Sequence, residues 1–368
     1  MRFINRRYER GKMENKRESN IELLRILSMI LIVVYHCTLS IGFLKGNVFE
    51  QIILFTIGIW GVFGVDCFFI ISFNFLYTSK FKTEKFINII KQILFYSIPL
   101  VIMAIINERM NSGKDILNII NVIFVSGLKQ PFWRDVYWFV TVYLLMYLSF
   151  PIMNSIIKKM NKKELKYIVI FLTIIILMYQ MEETVIEDYF FCIYMYMAFS
   201  YVKTYRNDWI KQNCKIGFII CTAFIICLKI LSECNESNFV IDFITGKFGR
   251  HSILFFIDSI FVFYIFKSIS INKSMVINKI ASTTFGIYLF HENQLFSVRS
   301  YMYNLIVKYN NNYFLIFYFL EIFLIFVLGV IIDLIRQWIF KKIDSKKNKI
   351  VYNNKYKKID NYINQLYD

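Results

Sequence analysis

The sequence has 368 residues, of which 57% are hydrophobic and 19% aromatic, and its formal net charge at pH 7 is +17. Soluble globular domains contain less apolar sequence, and only three prolines and thirteen glycines are available for turns. The composition therefore excludes a soluble domain and an all-β fold, and it predicts an all-α polytopic integral membrane protein. Basic residues lie in short loops and in the tail, which is typical of topology signals and of attraction to the lipid bilayer rather than of nucleic-acid binding.

Ten apolar segments have the length of a transmembrane helix, about 20 residues. We predict spans at 21–43, 61–79, 86–107, 136–157, 164–181, 187–204, 214–232, 250–267, 280–299 and 313–340. Two shorter apolar segments are interpreted as interfacial or re-entrant helices, at 49–60 and 115–127. The chain is thus expected to comprise a basic N-terminal segment (1–20), a transmembrane domain (21–340) and a Lys-rich tail (341–368).

The charged residues between the spans predict the topology independently. Loops after the second, fourth, sixth and eighth spans are rich in Lys and Arg, whereas the alternate loops are acidic or mixed. Because basic loops are retained in the cytoplasm, the even-numbered loops and both termini are predicted to be cytoplasmic. The seven cysteines lack the spacing of a disulfide framework or a metal site, so we expect small core residues and no metal.

The first span contains three ionisable residues, which are costly in a membrane and are therefore candidates for function. His36 follows Arg25 by eleven residues. Both side chains then project from one helix face, about 16 Å apart, with Arg25 nearer the cytosol. A neutral buried imidazole can accept a proton, so His36 is a candidate general base. The alternatives are a satisfied polar core residue for His36 and an interfacial ion pair between Glu22 and Arg25.

The second span brings small and acidic residues into the apolar layer. Gly61 and Gly64 permit close approach of another helix. Asp66 enters from the outer side and is interpreted either as a partner of His36 or as a polar contact to substrate.

The ninth span contains the run His291-Glu292-Asn293, which we expect to line a cavity or to pack on polar groups. Adjacent helix positions point about 100° apart, so His291 and Glu292 are not expected to approach the same atom. The remaining histidine, His251, lies beside Arg250 at the outer edge of the eighth span and is interpreted as a surface residue.

These segments together resemble the membrane-bound acyltransferase-3 family, whose bacterial members acylate carbohydrates of the cell surface. The likeness covers roughly residues 19–340. Four motifs carry it. The first two are the Glu-x-x-Arg-x10-His pattern of Glu22, Arg25 and His36 and the Gly-Val-Asp-x-Phe-Phe-x-x-Ser stretch from Gly64 to Ser72. The other two are the segment Tyr137 to Leu144 and the Gly-Ile-Tyr-Leu-x-His motif within Phe285 to His291.

The resemblance implies an O-acyltransferase of the bacterial plasma membrane. It would transfer acetyl from cytosolic acetyl-CoA, a substrate rather than a bound cofactor, to a hydroxyl of a cell-surface or exported polysaccharide. In this interpretation His36 is the base, Arg25 holds a phosphate or the pantetheine end of the donor, and Glu22 orients Arg25. Supporting or substrate-binding roles are expected for Asp66, Ser72, Trp138, His291 and Glu292. Trp138 is interpreted as a sugar-stacking residue or as part of an interfacial aromatic belt.

The sequence departs from the family pattern at Phe73, where the family usually has glycine, so altered local packing is expected. We expect the membrane domain to act alone or with separate partners such as polysaccharide-assembly proteins. Two other functions fit a membrane protein with polar residues at depth: a transporter or exporter of a glycan or lipid-linked intermediate, and a scaffold for polysaccharide assembly.

Overall fold

A computed structural model describes residues 18–42, 47–58, 60–112, 137–179, 184–234, 249–293, 297–307, 313–346 and 349–367. The secondary structure in these ranges is helical and contains no strands, which confirms the all-α fold class. The apolar segment predicted at 115–127 lies outside the described residues. In chain order the helices are α1 (Ser19–Ile41), α2 (Val48–Gly58), α3 (Trp60–Leu76), α4 (Thr83–Ser112), α5 (Trp138–Lys159), α6 (Lys162–Met178), α7 (Val185–Tyr205), α8 (Asn207–Cys234), α9 (Ile253–Ser268), α10 (Met275–Ala281), α11 (Thr284–His291), α12 (Val298–Met302), a π-helical turn (Tyr303–Val307), α13 (Phe314–Lys346) and α14 (Lys349–Tyr367).

Six stretches of helix in the described part of the chain are long and apolar enough to cross a membrane. They are Ser19–Ile41, Phe49–Leu76, Thr83–Asn107, Trp138–Lys159, Asn207–Leu228 and Phe314–Ile343. Helices α6 and α9 have 17 and 16 residues, fewer than the roughly 20 that a perpendicular crossing needs. The protein is thus a polytopic helical membrane protein, and its total of ten spans remains a prediction.

The predicted continuous span at 280–299 is wrong. Helix α10 ends at Ala281, and α11 begins after a turn at Ser282 and Thr283. Three consecutive hydroxyls, those of Ser282, Thr283 and Thr284, donate to the carbonyl oxygens three residues earlier, at 2.6, 2.7 and 2.9 Å. Such local hydrogen bonds give the backbone an alternative to helical pairing, so the helix breaks at this point.

The helices run alternately between two ends of the bundle. Asn20 at the start of α1 donates from Nδ2 to the Phe266 carbonyl near the end of α9, at 3.0 Å. Lys203 near the end of α7 donates from Nζ to the Asn74 carbonyl near the end of α3, at 2.9 Å. Basic loops follow these ends of α3, α7 and α9, and the ends lie together, as the alternation of charge predicts. We call this end of the bundle the basic end.

Close packing of α1 against α3 depends on two glycines. A Cβ atom at Gly64 would lie 2.8 Å from the Ser28 carbonyl oxygen, and one at Gly61 would lie 2.2 Å from Cβ of Tyr35. Any larger residue at either position would push the two helices apart, so the prediction of close helix approach is confirmed. The contact fixes the C-terminal half of α1, which carries His36, against α3.

Phe73, which replaces the family glycine, is fully buried in the core. Its ring packs edge-on against Tyr196 with 5.1 Å between centroids and lies roughly parallel to Phe69 at 5.8 Å. The hydroxyl of Tyr196 donates to Asn154. The larger ring therefore fits an aromatic layer between α3 and α7.

The Lys-rich tail forms α14, which packs against the start of α4. Asn364 exchanges two hydrogen bonds with the backbone of Phe81, at 2.9 and 3.1 Å. Oδ1 of Asp360 accepts from the backbone N–H of Thr83 at 2.7 Å and from its hydroxyl at 2.6 Å. Asp360 thus caps the first turn of α4 from a distant part of the chain.

We expect Asp360→Ala to destabilise the protein by about 1 kcal/mol, because it removes the acceptor for the backbone N–H and the hydroxyl of Thr83 at the start of α4. The measurement is thermal unfolding in detergent, followed by intrinsic tryptophan fluorescence. Lys358→Ala, at an exposed position of the same helix, is the matched control and should leave the midpoint unchanged. Equal effects of the two substitutions would contradict a capping role.

Candidate active site

A cavity of about 390 Å³ lies at the end of the bundle opposite the basic end. It is enclosed by α1, α3, α5, α7 and the segments that precede α9 and follow α11. Its polar lining includes His36, Asp66, Asp188, Arg250, His251, Glu292 and Arg299. A dense set of ionisable side chains within a helical membrane bundle marks the cavity as the candidate site.

The end of α11 is tied to the start of α5. The hydroxyl of Tyr137 donates to the Leu289 carbonyl at 2.9 Å and accepts from Nδ2 of Asn293 at 2.9 Å. All three residues are buried. This bridge holds the last turn of α11, with His291, beside the C-terminal half of α1.

His291 determines which nitrogen of His36 carries the hydrogen. Nδ1 of His291 lies 2.7 Å from the Ile287 carbonyl oxygen, which only accepts, so this nitrogen carries a hydrogen. In neutral His291, Nε2 is then an acceptor, and it takes the hydrogen bond from Nδ1 of His36 at 2.9 Å. Neutral His36 therefore has its lone pair on Nε2. That nitrogen has no hydrogen-bond partner among the described residues.

Glu292 approaches the same atom as His291. Its Oε2 lies 3.0 Å from Nδ1 of His36. The prediction that His291 and Glu292 do not approach one atom is wrong, because α11 ends at His291 and Glu292, with φ −104° and ψ 44°, has left the helix. Oε2 makes no directed hydrogen bond among the described residues, so its effect on the imidazole is electrostatic.

Arg299 completes this side of the cavity and was not identified from the sequence. Its Nη1 donates to the His36 carbonyl at 2.8 Å and to the Ser40 hydroxyl at 2.9 Å. Its Nε lies 3.4 Å from Oε2 of Glu292 and balances that carboxylate. The available signal was an arginine at the end of the predicted ninth span, where an unpaired cation would be costly.

A second cluster lies at the starts of α7 and α9. Nε2 of His251 is 2.9 Å from Oδ1 of Asp188, and Nη1 of Arg250 is 3.5 Å from Oδ2 of the same carboxylate. The prediction that His251 is a surface residue is wrong, since only 10% of its side chain is exposed. One face of the Trp138 indole is covered by the Arg250 guanidinium, 4.6 Å from the ring centroid.

Asp66 lies in the cavity wall and is fully buried. No hydrogen bond or ion pair joins it to His36 within the described ranges, and its Oδ2 has no partner there. A partnership with His36 is therefore not seen among the described residues, and a polar contact to substrate stays a prediction.

Three of the predicted site residues lie outside the cavity. Nε of Arg25 is 3.6 Å from Oε2 of Glu22, and its guanidinium lies 5.9 Å from the Phe68 ring centroid. The Ser72 hydroxyl donates to the Phe68 carbonyl of its own helix at 3.0 Å. The structure thus brings His36, Asp66, Trp138, His291 and Glu292 together, and separates Glu22, Arg25 and Ser72 from them.

The ligand atoms of His36, His291 and Glu292 lie within 4.8 Å of one another, close enough to hold a metal ion. Both histidine nitrogens would have to offer lone pairs to such an ion. A hydrogen bond between the two rings requires one of these nitrogens to carry a hydrogen, so this bond and a bound metal ion exclude each other.

Arg299→Ala should destabilise the protein by about 2 kcal/mol, because it removes two hydrogen bonds and the cation that balances Glu292. Glu292→Gln in the Arg299→Ala background should recover part of this loss, since a neutral amide needs no cation. A double-mutant cycle of thermal unfolding in detergent measures the coupling. Strictly additive effects would show that the two side chains do not interact.

Comparison with known proteins agrees with the geometry. The family model of the acyltransferase-3 domain, described as an acyltransferase domain, matches residues 18–335 and so includes every residue of the cavity wall named above. Searches of curated proteins and of solved structures found no match. The resemblance drawn from the four sequence motifs is confirmed, and the chain belongs to the acyltransferase-3 family of membrane acyltransferases.

Proposed function

We propose that this protein is an O-acetyltransferase of the bacterial plasma membrane, with both termini in the cytoplasm. It transfers acetyl from acetyl-CoA to a hydroxyl of a cell-surface or exported polysaccharide. The observation that carries the proposal is the hydrogen bond from His36 Nδ1 to His291, which leaves an unprotonated Nε2 on an imidazole in the cavity wall. That nitrogen is the group that acyl transfer to a hydroxyl requires.

The proposed reaction uses His36 as a general base. A sugar hydroxyl is too weak a nucleophile to attack a thioester unaided, so His36 Nε2 takes its proton as the oxygen bonds to the acyl carbon. The carbon–sulfur bond then breaks, and the proton passes from Nε2 to the departing thiolate. Glu292, 3.0 Å from Nδ1, stabilises the transient imidazolium, and His291 holds the ring in place.

The donor is proposed to enter from the basic end. A groove of about 470 Å³ there is lined by the cations Lys82, Lys85, Arg336 and Lys341. Phosphates such as those of a coenzyme A bind favourably among lysine and arginine side chains. Arg25 lies on α1 about 16 Å from His36 by helical rise. It is proposed to contact the donor between its phosphates and its thioester.

His36→Ala should lower acetyl transfer by about 10²- to 10⁴-fold, because it removes the proton acceptor. The assay follows radiolabel from [¹⁴C]acetyl-CoA into base-treated surface polysaccharide, with purified protein in detergent. Ser268→Ala, at an exposed helix end, is the control and should retain wild-type activity. Protein abundance in the membrane should be equal for both variants.

Full activity of His36→Ala would end the proposed mechanism. A wild-type protein that binds polysaccharide but leaves the thioester intact would instead indicate the transporter or exporter considered above.

Arg25→Ala is expected to raise the KM for acetyl-CoA by about tenfold or more, since charge-assisted contacts contribute about 1.5–3 kcal/mol. The acceptor KM should stay unchanged. Arg206→Ala removes an exposed arginine that follows α7 at the basic end, and serves as the charge-matched control. A change in acceptor KM with an unchanged donor KM would show that Arg25 does not contact the donor.

A further inference from the structure

The cavity contains two histidine–carboxylate pairs, whereas the proposed reaction needs only one base. His36 and Glu292 come from α1 and the segment after α11. His251 and Asp188 come from the turn before α9 and the start of α7. All four side chains line the same cavity. The mechanism above assigns no role to the second pair.

The hydrogen-bond pattern leaves neutral His251 with one acceptor nitrogen. A carboxylate oxygen only accepts, so the 2.9 Å contact with Asp188 Oδ1 places the hydrogen of His251 on Nε2. In neutral His251 the lone pair is then on Nδ1, which has no hydrogen-bond partner in the described part of the chain. The ring is held by Asp188 and by the edge of Phe191, with 5.4 Å between ring centroids.

Arg250 adds a donor beside this acceptor. Its guanidinium is paired with Asp188 at 3.5 Å and lies over the Trp138 ring. A sugar hydroxyl both donates and accepts, and the imidazole nitrogen and the guanidinium, which line one cavity, offer partners for these two functions. Trp138 and Phe191 also line the cavity and add apolar surface to it.

We propose that His251, Asp188 and Arg250 form the binding subsite for the carbohydrate acceptor. A hydroxyl of the acceptor donates to Nδ1 of His251 and accepts from Arg250, and Asp188 fixes both side chains. This inference rests on the proposed function and extends it. His251 binds and positions the acceptor, and His36 remains the base. The subsite lies at the end opposite the basic loops, so acceptor and donor enter from different ends.

The charges of the cavity favour a neutral acceptor. Two arginines are found among the described residues that line the cavity, and each is balanced by a carboxylate. Arg250 is paired with Asp188, and Arg299 with Glu292. Asp66 adds a buried carboxyl without a partner on Oδ2. A carboxylate or phosphate on the acceptor would meet no uncompensated cation there, and its desolvation would be unfavourable.

Two substitutions of His251 separate its two nitrogens. In His251→Gln the amide nitrogen reaches the position of Nε2 and keeps a donor to Asp188, but the acceptor at Nδ1 is lost. In His251→Asn the amide oxygen lies near the position of Nδ1 and keeps an acceptor, but the contact with Asp188 is lost. If His251 acts only structurally, through Asp188, the acceptor KM should rise more in His251→Asn. If His251 binds the acceptor, the acceptor KM should rise more in His251→Gln.

The experiment measures steady-state transfer from [¹⁴C]acetyl-CoA to base-treated surface polysaccharide, separated by anion exchange into neutral and acidic fractions. We expect label in the neutral fraction. His251→Gln should raise the acceptor KM by about tenfold or more, with a donor KM within twofold of wild type, and His251→Asn should raise the acceptor KM less. Thermal midpoints of both variants identify any loss of folding.

The outcomes are distinct. Suppose that the wild type is active. The subsite is then overturned, and the proposed function left intact, if the acceptor KM is unchanged in His251→Gln or rises more in His251→Asn. Label in the acidic fraction alone overturns the neutral acceptor class. A wild type that transfers no label to either fraction overturns the proposed function itself, and the subsite with it.

Discussion

The hydrogen bond between His36 and His291 is the interaction on which the proposed chemistry depends. It joins residues 255 positions apart, 2.9 Å from nitrogen to nitrogen, and it links α1 to the short helix α11. Because the Ile287 carbonyl occupies the other nitrogen of His291, the direction of the bond follows from elementary hydrogen-bond rules. The result is an imidazole with a defined tautomer, and a general base needs a lone pair on a known nitrogen.

A polar cavity in a membrane bundle is possible here because its charges are largely paired. Glu292 lies beside Arg299, and Asp188 beside both Arg250 and His251. A carboxylate without such a partner at this depth would carry a desolvation cost of several kcal/mol. The same pairs orient the imidazoles, so the contacts that make the charges tolerable also position the groups proposed to act on substrate.

The bundle separates two chemical environments along its axis. Cations gather in the groove at the basic end, and the two histidine–carboxylate pairs lie at the opposite end. This division agrees with an acyl donor that carries phosphates and an acceptor that carries hydroxyls, approaching from different sides. Glycines at positions 61 and 64 let α1 and α3 pack closely, and this contact keeps His36 in the cavity wall.

The amino-acid sequence alone determined the all-α fold class and the alternation of helix ends, and it identified His36, His291 and Glu292 as candidate site residues. These features depend on local properties, since hydrophobic length, loop charge and motif spacing are read within one segment. Only the tertiary structure showed that Asp188 pairs with His251, 63 positions later. It also showed that Glu292 turns back toward His36, because the helix ends one residue earlier. Such contacts are decided by how distant helices pack and by where each helix stops, and neither is determined by periodicity along the chain.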